Sequence, residues 1–253
     1  MYRAWREIPF ASPLYWARDG MLKGLIFDVD GTLAETEEVH RRAFNQAFDE
    51  ARLDWYWSQE EYRSLLKVTG GRERIQHYIR IRGLDELSDS ELRSLHQNKT
   101  RYYGALLPKA VILRPGVTRL IEECIAQSIK LAIATTTTEA NVEALNLAVG
   151  GAIHLDKFEV VMGGTQIPIK KPDPAVYFET LKALDLSANE VIAIEDSTAG
   201  VTAAKSAGIT CVGSHSIYTS DHDLSGADIV IENLDNRGNH EPVTLEFLTT
   251  LLD

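Results

Sequence analysis

The sequence predicts an α/β protein, a doubly wound parallel sheet with a helical domain inserted after the first strand. Three observations carry that prediction. Short apolar runs recur along the chain and stop abruptly at acidic or hydroxyl residues, as buried parallel strands do at their C-terminal ends. From Arg114 onward these runs alternate with helical patterns, the order that builds a parallel sheet. Between Thr36 and about Leu107 the pattern is helical throughout, about 70 residues where a right-handed crossover needs one helix. That excess marks a separate small module lying over the sheet.

Taken in order, residues 1–20 show no periodicity. Arg3, Arg6 and Arg18 hint at a targeting peptide, but Glu7, Asp19, the scarcity of serine and the lack of an apolar central run argue against secretion. The segment is expected to be an extension with no part in chemistry. The first strand, Leu25-Ile26-Phe27, stops at Asp28; Asp30 follows two positions on, and Gly31-Thr32 turns the chain. Both acids therefore sit at the strand's mouth, where open α/β sheets bind ligands. Two carboxylates in one small volume repel each other, which calls for a cation or a shifted pKa.

In the helical module, Val39, Ala43, Phe44, Ala47, Phe48 and Ala51 form one apolar face, and further helices are predicted at 58–67, 72–82 and 88–105. Strands follow at 130–134, 159–162, 191–194, 209–212 and 228–231, and helices at 116–127, 139–148, 174–184, 198–207 and 243–251. Asp173-Pro174 supplies a cap with proline at the first helical position, and Gly208 suits a helix stop. The domain boundaries are thus an extension at 1–20, a core at 21–35 and 108–253, and a helical module at 36–107.

The bulk numbers restrict the function. A 253-residue chain with 44% hydrophobic and 25% charged residues is an ordinary globular composition. A net charge of −11 and a pI near 5.1 argue against nucleic acid and anionic membranes as partners. No apolar run approaches the roughly 20 residues of a membrane span. Cys124 and Cys211 match no metal or redox spacing, so a reduced, cytoplasmic protein is expected, and a monomer.

The end of each strand carries a polar group. Thr135 follows the run ending at Ala134, although Thr136 and Glu139 also have capping-box spacing. Lys170-Lys171-Pro172-Asp173 follows the next strand, and either lysine could serve a site. Glu195-Asp196 ends the run Val191–Ile194. Helix capping accounts for one acid of that pair but not for a second acid pair at a second buried strand. With Asp28 and Asp30 this makes four carboxylates at one edge, a hard-oxygen site suited to Mg²⁺.

Asp28-Val29-Asp30-Gly31-Thr32 resembles the first signature of the haloacid-dehalogenase (HAD) superfamily. Thr135, Lys171 and Glu195-Asp196 resemble its second, third and fourth motifs, in chain order. The resemblance implies a Rossmann-like HAD core whose helical insertion is a C1-type cap. It implies Asp28 as nucleophile and Asp30 as acid/base. Mg²⁺ would be held by Asp28, the backbone carbonyl of Asp30 and Asp196, with Glu195 a ligand through water or a partner behind the ligands. Thr135 and Lys171 would hold the phosphoryl oxygens. Asp30 itself favours phosphate-ester chemistry, since the family's transport ATPases carry threonine there and its dehalogenases lack this acid.

For the substrate, the strings Glu35–Arg42 and Thr69–Arg74 place basic residues in an acidic protein. The Gly70-Gly71 pair before a helix leaves N–H groups for an anion, and Arg72 could clamp it bidentately. Glu37, His40, Arg42, Gly71, Arg72 and Thr136 are therefore the expected substrate contacts. Asp28–Phe44, Thr69–Ile75 and Ile133–Leu145 resemble the CbbY-type proteins, which remove the 1-phosphate of xylulose 1,5-bisphosphate, a Calvin-cycle by-product. Phosphoglycolate phosphatases and β-phosphoglucomutases are the related alternatives. A receiver-like phosphoacceptor, from another class, would need neither Asp30 nor the cap. His215, Asp221, His222 and Asp223 are expected to be solvated surface.

Overall fold

A computed structural model describes residues 21–238 and 240–252, so the expectation for residues 1–20 lies outside the described residues. The core is a six-stranded parallel sheet. Its strands are β1 (Gly24–Phe27), β4 (Lys130–Ala134), β5 (Phe158–Met162), β6 (Val191–Glu195), β7 (Thr210–Gly213) and β8 (Ile229–Val230), in the order β5-β4-β1-β6-β7-β8. β1 is central: the chain builds outward on one side through β4 and β5, then crosses to β6 on the other. The crevice at such a reversal is where doubly wound sheets bind ligands.

Alternate residues of each apolar run face opposite sides of the sheet. Leu25, Phe27, Leu131, Ile133, Ile192 and Ile194 pack with α5 (Val117–Ala126), α6 (Glu139–Ala148) and α9 (Leu245–Thr249). Ile26, Ala132, Ala134, Val191 and Ala193 pack with α7 (Ala175–Leu184) and α8 (Thr198–Ser206). Burial on both faces is why these strands read as continuous apolar runs rather than alternating ones.

The cap contains α1 (Glu37–Glu50), α2 (Gln59–Leu65), α3 (Gly71–Arg82) and α4 (Asp89–Ala110). It has its own core, in which Trp57 stands 4.6 Å from Phe44 and 4.9 Å from Phe48, ring to ring. One member of that cluster, Tyr218, comes from the sheet domain. The chain leaves and re-enters the core through a two-stranded antiparallel ribbon, β2 (Ala34–Glu35) and β3 (Ile112–Leu113). Buried Arg114 fastens this ribbon, bonding Glu35 at 3.0 Å and Ser214 Oγ at 2.7 Å.

Two local details add to the sequence reading. The expected cap boundary at 107/108 falls inside α4, which continues through Pro108 to Ala110. Pro108 lies in the last turn and removes one i→i−4 hydrogen bond there. The cap residue of α6 is Thr138, whose side chain accepts from Asn141 N, and not Thr136. Among the described residues no helix is long and apolar enough to cross a membrane.

Candidate active site

A cleft of about 940 Å³ lies between the sheet's C-terminal edge and the cap. Asp28 stands at its floor, directly after β1. The chain then turns at Gly31, whose φ of +83° belongs to the left-handed region. A Cβ there would lie 2.0 Å from Asp196 Oδ2, so the turn also needs a bare Cα for the two acidic strand ends to meet. Asp28, Glu195 and Asp196 are buried and offer ligand oxygens within 4.8 Å of one another.

Lys171 is the cation of this cluster. Its Nζ donates to Asp28 Oδ1 at 2.7 Å, Glu195 Oε1 at 2.5 Å and Ala134 O at 2.8 Å, which uses all three N–H groups. Lys170 instead donates to the carbonyls of Gly164 and Ile167 and orders its own loop. Tyr177 OH donates to Glu195 Oε1 at 2.6 Å, while Glu195 Oε2 is buried without a protein partner. Burial pushes Asp28 up to about 8 against the opposing pull of Lys171. Burial and the charge of Asp28 push Asp196 up as well. Three buried carboxylates facing one ammonium fit a divalent cation, which supplies the missing charge and takes hard oxygen donors. One of those donors, Glu195 Oε2, has no other partner.

Asp30 turns away from this cluster toward the cap. Its Oδ1 accepts from Thr36 Oγ1 at 2.6 Å and bonds His40 Nε2 at 2.9 Å. Lys99 Nζ donates to His40 Nδ1 at 2.6 Å, which fixes the His40 proton on Nε2, facing Asp30. His40 stacks on Tyr103 with ring centres 4.0 Å apart. Burial alone would raise Asp30, but His40, the Thr36 hydrogen bond and Lys99 outweigh it and hold the carboxyl well below its usual range. Burial pushes Lys99 down to about 7, and burial together with Lys99 pushes His40 down.

Glu37, His40, Gly71, Arg72 and Thr136, predicted as substrate contacts, all line the cleft. Glu37 is oriented by Tyr62 OH at 2.7 Å, which itself accepts from buried Arg74 at 2.8 Å. Arg42 is a correction: it is exposed and lines no part of the cleft. On α1 the inward face is Val39, His40, Ala43 and Phe44, and a residue two past His40 lies on the far side. Arg41 and Arg74, by contrast, are buried in hydrogen bonds.

Thr135 is buried just behind the wall, where its Oγ1 accepts from Thr137 N at 3.2 Å; Thr136, Thr137 and Thr138 form the wall itself. The loop expected to be solvated surface does expose Asp221 and Asp223, and it borders the cleft. Asp221, His222 and Asp223 line the cleft, and Thr219 donates to Asp196 Oδ2 at 3.0 Å. Lys99, Tyr177, Thr36 and Thr219 went unread in the sequence, since each sits in a pattern indistinguishable from ordinary helix or loop.

Comparison with known proteins agrees with this geometry. The model of the haloacid dehalogenase-like hydrolases matches residues 25–214. Protein CbbY of Rhodobacter capsulatus is 47% identical over 214 residues, 84% of this chain and 94% of that protein. A crystal structure of a CbbY point mutant from Rhodobacter sphaeroides in complex with xylulose-(1,5)bisphosphate is 41% identical. It superposes with a TM-score of 0.78 over 84% of this chain and 95% of that one. Beta-phosphoglucomutase of Bacillus subtilis is 27% identical over 230 residues, 90% of this chain and 94% of that protein. Motifs, fold and family match coincide, and the chain belongs to the haloacid dehalogenase-like hydrolases.

Proposed function

We propose that this protein is a Mg²⁺-dependent sugar-phosphate phosphatase that works through an aspartyl-phosphate and removes the 1-phosphate of xylulose 1,5-bisphosphate. The observation that carries the reading is the divergence of Asp28 and Asp30. One is held by the sheet's lysine among the metal-type acids, the other by Thr36 and His40 of the cap, on one cleft. Nucleophile and acid/base thus have separate, differently tuned surroundings.

In this mechanism an Asp28 carboxylate oxygen attacks phosphorus and the bond from phosphorus to the sugar oxygen breaks. The departing oxygen takes a proton from Asp30. Asp30 then takes a proton from water, whose oxygen attacks phosphorus and releases Asp28. In the empty cleft Asp30 is ionised; the negative charge of a bound phosphate beside it raises its pKa and lets it carry the proton it must deliver. Lys171 pulls Asp28 toward its ionised form against the burial that raises it, and sets a positive charge beside the phosphoryl group, with the Thr135–Thr137 turn opposite. Asp28, Asp196, the Asp30 carbonyl and, directly or through water, Glu195 would hold Mg²⁺, which supplies Lewis-acid shielding of the phosphate charge. Gly70, Gly71 and Arg72 across the cleft support a second phosphate on the substrate. CbbY of Rhodobacter sphaeroides, which binds xylulose-(1,5)bisphosphate, supports the same substrate here.

The test is Mg²⁺-dependent phosphate release, comparing kcat/KM for xylulose 1,5-bisphosphate, ribulose 1,5-bisphosphate, 2-phosphoglycolate and β-glucose 1-phosphate. A clear preference for the first is expected. Preference for 2-phosphoglycolate, or conversion of the last into glucose 6-phosphate, overturns the substrate assignment.

A further inference from the structure

His96, on α4, lines the cleft, and its ring makes no hydrogen bond among the described residues. It lies against the first turn of α3: a Cβ placed on Gly71 would stand 2.6 Å from His96 Nε2 and 2.9 Å from Cδ2. Gly70, the cap residue of that helix, offers no side-chain cap to the first turn. The imidazole therefore shares one wall with Arg72 and with the open N–H groups of a helix start, the part of the cleft that faces a second anion. We propose that His96 is a specificity-determining residue that donates a ring N–H to the second phosphate of a sugar bisphosphate, an inference that rests on the function proposed above.

The charged surroundings of the ring bear this out. Lys99 lies one turn along the same helix, Arg72 and Arg74 add positive charge from α3, and His40 on α1 also disfavours a charged ring. Glu37 and Glu73 are acids on the same cleft, with the Glu73 carboxylate lying against Gly70. Burial and the neighbouring cations push His96 down to about 3, so the ring is neutral at physiological pH. A neutral imidazole always keeps one N–H to donate. It also adds a directional donor to a wall already crowded with positive charge, without repelling Arg72.

The experiment compares a ketopentose 1,5-bisphosphate with the matching 1-phosphate at saturating Mg²⁺, in wild type, His96→Phe and His96→Gln. Phenylalanine keeps a ring against Gly71 but donates nothing; glutamine keeps an N–H. The ratio of kcat/KM, bisphosphate over monophosphate, is expected to fall about tenfold in His96→Phe through KM, and less in His96→Gln. An unchanged ratio in His96→Phe, or equal losses on both substrates in both variants, overturns the proposal by making His96 a packing residue. If His96→Phe does not fold, His96→Ala is read by the same ratio. A wild-type enzyme without preference for the bisphosphate overturns the parent reading of the cleft, and is distinct from a preference that survives loss of His96.

Discussion

Lys99→Met separates what α4 contributes to stability from what it contributes to turnover. Lys99 is 4% exposed, and burial lowers its pKa from 10.5 to about 7. Because the folded value lies below the unfolded one, the charged form is the burdened one. The penalty is full below about pH 7, where the ammonium is charged in both states. It disappears above about pH 10.5, where it is neutral in both. At about 1.4 kcal/mol per unit the burden is on the order of 5 kcal/mol. Methionine gives back the hydrogen bond to His40 and the ammonium's approach to the rings of Phe44 and Tyr103, at 4.8 and 5.2 Å. Those losses are worth roughly 1–2 kcal/mol together. The variant should therefore be about 3–4 kcal/mol more stable than wild type at pH 6, with the gain shrinking as pH rises toward 10. Turnover should move the other way, by roughly 100-fold, because nothing then fixes the His40 proton on the nitrogen facing Asp30. Urea unfolding at pH 6 and pH 9, beside steady-state phosphate release, measures both. A variant less stable at pH 6, or one with wild-type turnover, refutes the reasoning.

Other changes probe separate parts of the site. Asp28→Asn should lower phosphate release by at least about 10⁴-fold, and appreciable turnover would remove Asp28 as nucleophile. Gly31→Ala combines a left-handed φ with an overlap on Asp196; a urea midpoint should register a loss of about 3 kcal/mol or more, and a midpoint near wild type would refute that geometry. Mg²⁺ at about 100 times its Kd should raise Tm by roughly 5–10 °C over the EDTA-treated protein, and Asp196→Asn should blunt the shift; equal Tm with and without Mg²⁺ argues against the cation site. Arg72→Ala should lower the bisphosphate-over-monophosphate ratio of kcat/KM by about tenfold or more, and equal losses on both substrates would undo the second-phosphate subsite.

What the sequence revealed follows from how local each signal is. The predicted 130–134 and 139–148 coincide with Lys130–Ala134 and Glu139–Ala148, because an apolar run and a capped helix are written in neighbouring residues. The ribbon Ala34–Glu35 with Ile112–Leu113 left no pattern, since two-residue strands are too short to have a period. The acids at strand ends were legible because an acid closing a buried run is costly without a purpose. Lys99, Tyr177 and His96 were not, for each meets the cleft or the acids behind it through packing between elements distant in the chain. Arg42 misled because a charge-dense string tells nothing of which helix face turns inward. His40 and Arg42 differ by two positions, yet one is 4% exposed and the other stands in solvent.

Tyr218 gives the loop after β7 a mechanical role. Its ring is 5% exposed inside the cap's aromatic cluster, 5.8 Å from the Tyr62 ring, and its hydroxyl bonds Glu38, while the next residue, Thr219, holds Asp196. The cap cannot swing away on the β2–β3 ribbon without withdrawing this ring, at a cost of roughly 2 kcal/mol of apolar contact. Pulling Tyr218 also tugs the residue that steadies an acid of the metal-type cluster. Any opening of the cleft would, by this linkage, also loosen the hold on Asp196.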